Sequence, residues 1–493
     1  MYKLYQLQWT SETIKQRLYF RYEGEIKLNG NALWLKKGTT INTLTYFNSF
    51  SLSKWKRYTT INKLAYKMVI NGNANIEVLG LDNKGIKKIS SISSRGAFEE
   101  FINIECIKES ILGFRIQAES DCNIESIAFY GDFSNWRDLR IGVSICTFRR
   151  EEYVKKTISK LQNYSLNNKW LNTLVVDNGS TLDICESESL KIVYNPNYGG
   201  SGGFTRGLIE NLESGLNDYV LLMDDDIDLE TSSIEHMYPL LCGLKEEYKD
   251  CFLSGAMLRM NDPYIQHENT AYWGKIRLHS LGQGWDLSQY NTLLKNEEMP
   301  NYQNQYGAWW FCCIPLKRVK EIGLPLPVFI KGDDIEYGIR NNKEVIHMNG
   351  IGVWHETFEG KQAPWVNYFA YRNFFIVNQY AKGCNKWTLC AMTFGRLFLH
   401  FIKGHFANTK VLVCALEDAI QGFDGITAVP ADEKLKEVRS NRFDKSYLSS
   451  FITVVYQSIC CMLKYREINS SYIDFRDKKL KDGVFWKTYL RLK

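Results

Sequence analysis

Three consecutive acids, Asp224, Asp225 and Asp226, close an apolar run in YVLLMDDDIDLE (219–230). Neighbouring carboxylates repel one another, and burying one without a partner is costly. Alternate residues of extended backbone share a face, so Asp224 and Asp226 converge while Asp225 points elsewhere. Two converging carboxylates suit a hard divalent cation, which can then hold a diphosphate. The bland alternative is a solvated acidic loop, and the apolar run directly before the acids speaks against it. A second cluster, Asp333, Asp334 and Glu336 in FIKGDDIEYGIR (329–340), follows an apolar, strand-like stretch and opens a helical pattern. One acid there can take a proton from an attacking hydroxyl while its neighbour caps the helix. His355 in VWHETF (353–358) reads as a core residue or as a third metal ligand beside two carboxylates. Trp309 and Trp310 in AWWFCCIP (308–315) read equally as core packing or as a sugar-stacking platform. NYGGSGGF (197–204) reads as a loop, either a tight turn or an anion cradle. It lacks both GK[ST] and GxGxxG, which excludes a P-loop and argues against a dinucleotide fold.

The elements that must position these residues are legible as texture. From 140 onward, RIGVSICTF (140–148), LNTLVVDNGS (171–180), LKIVY (190–194) and DYVLLMDDD (218–226) are near-continuous apolar strands. Helical spacing separates them, notably at 149–164. Buried strands alternating with helices imply a parallel α/β sheet, whose ligands bind beyond the carboxyl ends of the strands. Those ends carry residues 147–150, 177–180, 195–203 and 224–226, all rich in polar residues or glycine. Before 136, short runs at 64–70, 75–81, 112–118 and 124–131 alternate in part and suggest a β-sandwich or barrel. Residues 133–139 read as a linker, and the chain after about 380 as amphipathic helices.

The 493 residues exceed one ordinary core, so two or three domains are expected. The net charge of +6 is spread along the chain with no Lys/Arg block, which weakens a nucleic-acid reading. Thirteen cysteines without a CxxC pair, behind an N-terminus that does not read as a secretory signal, point to a reducing cytoplasm. Segments 387–406 and 447–465 approach membrane-span hydrophobicity. The first is interrupted by Arg396, His400 and Lys403 and the second is short, so docking on a bilayer surface is the functional alternative to burial.

Taken in order, CTFRR (146–150), VVDNGS (175–180), NPNYGGSGGFTRG (195–207), LLMDDDI (221–227), AWWFCCIP, FIKGDDIEYGIR, VWHE (353–356) and YFAYRNFF (368–375) resemble the inverting glycosyltransferases of family 2. They are most similar to the bacterial galactofuranosyltransferases of the galactan-polymerase type. The resemblance covers roughly 140 to 380. It implies an α/β GT-A nucleotide-sugar fold at 137–380, after a β-sandwich-like domain (1–136) and before a helical C-terminal region (381–493). It implies a UDP-sugar donor, foremost UDP-galactofuranose, and Mn2+ or Mg2+ held by Asp224, Asp226 and His355. It assigns Asp334 as the base with Asp333 in support. Arg150, Asp177, Asn197, Asp224 and Asp225 would line the nucleotide and diphosphate pocket, with Trp309 and Trp310 near the acceptor. Two departures stand out: RR follows CTF where Asn-Arg is common, which leaves Arg149 and Arg150 as rivals, and the C-terminal part is shorter. The acceptor is expected to be a glycan or lipid-linked glycan, and the place of action the cytoplasm at the inner face of the plasma membrane. No nucleic-acid partner is expected, and self-association stays open. A different donor, such as a dTDP-rhamnose, and a non-catalytic carbohydrate-binding protein are the alternatives.

Overall fold

The runs at 64–70 and 75–81, which read as two strands, belong to one, Ile61–Asp82. The computed structural model describes residues 1–357, 363–404, 406–440 and 447–492. Residues 71–73 form a bulge in place of a turn, with Gly72 at φ +118°. A Cβ on Gly72 would lie 2.5 Å from the Asp121 carbonyl oxygen, so the close approach of the neighbouring strand requires glycine. The long strand therefore serves two sets of neighbours. Its first half pairs with Cys122–Phe133 and its second half with Ile111–Ala118, while Gly85–Ile102 runs along its other edge. Nine strands join in this N-terminal β region.

The second sheet has seven strands. Leu190–Tyr194, Leu171–Asp177, Ile141–Thr147 and Tyr219–Asp224 lie side by side in parallel. Cys312–Pro315 then joins Tyr219–Asp224 antiparallel. Buried Val143, Ile145, Val175, Val176 and Leu221 fill these strands because helices such as Glu151–Ser165 and Gly199–Ser214 cover the sheet. The register places Thr147 opposite Asp177, Cys146 opposite Asp224, and Asp177 opposite Tyr194. The polar strand ends thus form one row along one edge.

The glycine run lies inside a helix, not in a loop. Gly199–Ser214 starts at Gly199, where φ is +68°, and Gly203 and Gly207 face the first strand. A Cβ on Gly203 would lie 2.1 Å from Cys146 Sγ, and one on Gly207 would lie 1.9 Å from Ser144 Oγ. Glycine is a poor helix former, and here close packing of helix on sheet overrides propensity. The apolar stretch before Asp333 is likewise not a strand. Phe329, Lys331 and Gly332 have φ of +70°, +64° and +89°, which breaks extended backbone.

A short antiparallel ribbon, Ile227–Leu229 on Gly352–His355, stands beside the main sheet and is backed by Ala256–Arg259. Helices Pro364–Tyr380, Lys386–Ile402, Phe406–Ile420 and Tyr447–Leu463 follow, and Phe406–Ile420 packs against the first and last of these. Among the described residues no helix is long and apolar enough to cross a membrane. No disulfide joins any of the thirteen cysteines.

Candidate active site

Asp224 ends its strand, Asp226 precedes the ribbon, and the ribbon register sets Ile227 opposite His355. This brings one ligand atom each of Asp224, Asp226 and His355 within 4.8 Å of the others. His355 Nε2 lies 2.8 Å from Asp226 Oδ1 and 3.9 Å from Asp224 Oδ2. The other ring nitrogen, Nδ1, donates to the Glu356 carbonyl at 2.5 Å, which fixes the tautomer and turns Nε2 toward the acids. Three groups that offer electron pairs meet there, so a positive species belongs between them, either a proton on the imidazole or a metal ion. Two hard oxygen donors and one imidazole fit Mn2+ or Mg2+. Burial pushes the Asp224 carboxyl up to about 6. Burial also acts on Asp226, but His355 and Arg150 outweigh it and hold that carboxyl at about 2. Burial opposes charge on His355, yet the bond to Asp226 and the two nearby carboxylates raise its pKa.

Asp225 turns the other way. It accepts from Thr147 Oγ1 at 2.7 Å and from Arg150 Nη1 at 3.4 Å, and burial pushes its carboxyl up to about 7. Arg150 also bonds Asp226, so it bridges two of the three acids from the start of the Glu151–Ser165 helix. Arg149, at φ +55°, instead lies by the Phe148 ring.

Asp333 and Asp334 form the first turn of the Asp333–Asn341 helix, after Gly332 at its cap. Burial raises both carboxyls, and the charge of Asp334 raises Asp333 further. The charge of Asp334 also acts on Asp224, Glu268, Tyr306 and Cys312, so the second acid pair shares an electrostatic environment with the first site. Glu336 stands apart from this pair and bonds Arg340 at 2.6 Å, both buried. The bent segment ahead of the helix is held from the Pro364–Tyr380 helix. Asn373 Nδ2 lies 3.0, 2.8 and 2.7 Å from the carbonyls of Val328, Ile330 and Lys331, and Arg372 Nη2 donates to Val328 at 2.9 Å.

Asp177 is fully buried, and its two oxygens accept from the amides of Gly179, Thr181 and Leu182 at 2.7–2.8 Å. Its geometry shapes the loop. Asn197 Oδ1 accepts from Gly199 N at 3.1 Å, at the start of the glycine helix. Asn178 Nδ2 donates to Gly199 O at 3.0 Å, and Asn195 Nδ2 donates to Asn178 Oδ1 at 2.8 Å, which ties adjacent strand ends together. Trp309 and Trp310 are 5% and 6% exposed. Trp309 packs edge-on against Phe204 and Tyr337, and Trp310 donates to the Gly255 carbonyl at 3.0 Å. Both indoles are thus largely taken up by core packing.

Residues 143–311, which span the parallel strands and the acidic triplet, match the family described as Glycosyl transferase family 2. The chain carries a family 2 glycosyltransferase domain. Ahead of it, residues 16–132 match a family described as Galactofuranosyltransferase 2 N-terminal. Two curated relatives, both named galactofuranosyltransferase GlfT2, are 24% identical to this chain. The Mycolicibacterium smegmatis protein matches over 440 residues, 82% of this chain and 67% of its own length. The Mycobacterium tuberculosis protein matches over 371 residues, 68% of this chain and 58% of its own length. Among solved structures, Staphylococcus aureus TarS 1-349 overlays with a TM-score of 0.36 at 14% identity, covering 67% of this chain and 92% of that one. A Pyrobaculum calidifontis mannosyltransferase gives 0.33 at 13% identity over 66% and 88%. Overlays that low identify neither ligand nor activity.

The transferase domain has the GT-A α/β arrangement, with its acids at the carboxyl edge of the parallel strands. Several residues that build its site carry no local signal. Asn178, Arg372 and Asn373 bond backbone far away in sequence and Asn195 bonds the Asn178 side chain, and asparagine is too common in loops to stand out. Glu268 is different. It is a nearly inaccessible carboxyl that burial pushes up to about 7, it bonds Ser280, and it feels the charge of Asp334. Burial is the main cause of that shift, and only the folded chain shows it.

Proposed function

We propose that this chain is an inverting, divalent-cation-dependent glycosyltransferase that moves galactofuranose from UDP-galactofuranose onto a glycan acceptor of bacterial surface polysaccharide. The observation that carries this reading is the convergence of Asp224, Asp226 and His355 beside a second buried acid pair, Asp333 and Asp334. The names of the two relatives support the sugar. Asp224, Asp226 and His355 would hold Mn2+ or Mg2+, which when bound supplies positive charge opposite a diphosphate leaving group. Arg150 adds a fixed positive charge beside the same acids. Asp334 accepts the proton of the acceptor hydroxyl; the freed oxygen forms the new bond to the anomeric carbon as the bond to phosphate breaks, and UDP leaves with inversion. Asp333, whose carboxyl is raised the more, stands behind it. The units proposed to divide this work are residues 1–136, 137–380 and 381–493.

The proposed place of action is the cytoplasmic face of the plasma membrane, where a lipid-linked acceptor would be reached. Helices Lys386–Ile402 and Tyr447–Leu463 pack together, contain no acidic residue, and expose Trp387, Phe398, Ile402, Tyr456 and Leu463. Lys403, Lys464 and Arg466 follow them. An apolar face with basic ends suits an anionic bilayer. Flotation with anionic and neutral liposomes tests this, and absence from both floating fractions would refute it.

The deciding experiment is a panel of sugar nucleotides with Mn2+, with and without EDTA, scored as nucleotide release by wild type and Asp334→Ala in the presence of a lipid-linked acceptor extract. Release from UDP-galactofuranose alone, lost with EDTA and with the variant, is expected. Release from another sugar nucleotide would replace the donor, and release that EDTA does not affect would remove the metal.

A further inference from the structure

Behind the metal-ligand ribbon lies a buried lysine from the other end of the chain. Lys15, 4% exposed, sits in the N-terminal β region, yet its Nζ is 2.7 Å from Asp228 Oδ2 and 4.1 Å from the centre of the Trp354 ring. Glu12 adds a contact at 3.0 Å. Asp228 and Trp354 are directly opposed in the ribbon, one residue along from the Ile227 and His355 pair. They therefore occupy the ribbon face opposite His355. Ile227–Leu229 is held by only three pairs, whereas Gly352–His355 also pairs with Ala256–Arg259, so it is the Ile227–Leu229 side that the ladder fixes weakly. The N-terminal region supplies more: Phe47 packs against Trp354 with ring centres 5.5 Å apart, and Tyr46 Oη donates to the Ile351 carbonyl at 2.9 Å. Lys156 and Lys160 of the transferase domain also reach Asp228, at 3.2 and 2.9 Å, but with side chains 64% and 33% exposed. Asp228 is thus neutralised without Lys15, and burying a third ammonium there is costly unless position is what it supplies.

We propose that Lys15 is a positioning residue for the metal centre: by clamping Asp228 and Trp354 from the N-terminal region, it sets where Asp226 and His355 stand and so sets the affinity for a divalent cation. This rests on the metal reading of Asp224, Asp226 and His355. Partners that orient metal ligands from outside the ligand set change metal affinity about 10–100-fold when removed, and about 10-fold is expected here.

The sign separates position from charge. Removing a positive charge near a cation site strengthens cation binding if charge alone acts. Loss of a clamp weakens it. The experiment titrates the full chain with Mn2+ alone, following free Mn2+ by electron paramagnetic resonance, for wild type, Lys15→Met, Lys156→Met and Asp228→Asn. Metal-free thermal melting of each variant reports folding. Lys15→Met keeps the stem over Trp354 and removes the charge; it is expected to bind Mn2+ about 10-fold more weakly, while Lys156→Met binds as tightly as wild type or tighter. Asp228→Asn removes a negative charge, which by itself weakens cation binding, so it is read through the double variant with Lys15→Met, in which the clamp is already broken. Asp228→Asn is expected to bind Mn2+ more weakly than wild type, and adding Lys15→Met to it is expected to cause no further loss. Wild-type binding with Lys15→Met unchanged or tighter would overturn the clamp and leave the metal reading standing. Absence of Mn2+ binding by wild type would overturn the metal reading and the clamp with it.

Discussion

Replacing Gly207 with alanine sets helix propensity against helix packing. Alanine is worth about 1 kcal/mol over glycine in a helix interior, so on local grounds Gly207→Ala would strengthen the Gly199–Ser214 helix. In place, the new Cβ would lie 1.9 Å from Ser144 Oγ and 3.0 Å from Ser144 Cβ. Turning the hydroxyl away relieves only the first contact, because the second atom is fixed to the strand backbone. The helix must lift by a few tenths of an ångström, and overpacking of this kind costs about 1–3 kcal/mol. The two effects together leave a net destabilisation of up to about 2 kcal/mol. Ser144 supplies the control. Its hydroxyl is buried without a hydrogen-bond partner, so Ser144→Ala alone should be neutral or stabilising. It should also recover part of the loss in the double variant, since the residues touch. Thermal melting and urea titration of the four proteins measure the cycle, with UDP affinity as a second readout. Gly203→Ala, whose Cβ would sit 2.1 Å from Cys146 Sγ and 2.9 Å from Asn178 Nδ2, should weaken UDP binding more than Gly207→Ala does, because Asn178 ties the strand ends at the pocket. A Gly207→Ala protein more stable than wild type by the whole propensity gain, with no coupling to Ser144, would refute the argument.

Asp334→Asn should lower kcat by about 10²–10⁴-fold while Mn2+ and UDP binding stay near wild type; unchanged turnover would remove the base assignment. His236 lies against the Tyr5 ring, its Nδ1 donates to the Gly350 carbonyl at 2.8 Å, and burial pushes its pKa down to about 4. The unfolded chain gains a proton below about pH 6.5 that the folded chain refuses until about pH 4, so stability falls as pH drops through that window, by about 3 kcal/mol for this ring. Melting temperatures of wild type and His236→Asn between pH 7.5 and 4.5 should converge toward acid, and parallel curves would count against it. Glu336→Gln strands the buried Arg340 guanidinium and should cost about 3–5 kcal/mol by urea unfolding, whereas the paired change Glu336→Leu with Arg340→Met should recover most of it.

The parallel strands were legible because three of the four are apolar runs buried on both faces and each is closed by polar residues. Asp224 and Asp226 converge by the two-residue repeat of extended chain, which the triplet displays on its own. His355 reaches them only through the ribbon, a pairing that no spacing rule supplies. The glycine run misleads because glycine argues locally for a loop, while the sheet below demands the absence of a Cβ at Gly203 and Gly207. The bulge at 71–73 misleads in the same way, since Asn-Gly-Asn reads as a turn until the strand beyond it keeps its direction. Trp309 and Trp310 show the limit for side chains: composition makes them equally apt for core and cleft, and only packing decides which surface they spend.

The segment that presents Asp333 and Asp334 has its hydrogen-bonding partner, Asn373, about forty residues further along the chain. Proteins leave the ribosome N-terminus first, at about 5–20 residues per second. The parallel strands, the acidic triplet and even Asp334, the proposed base, therefore emerge seconds before the helix that holds the preceding segment in place. A nascent or prematurely ended chain has the reactive groups without their arrangement. The arrangement of the acids is therefore completed late in synthesis.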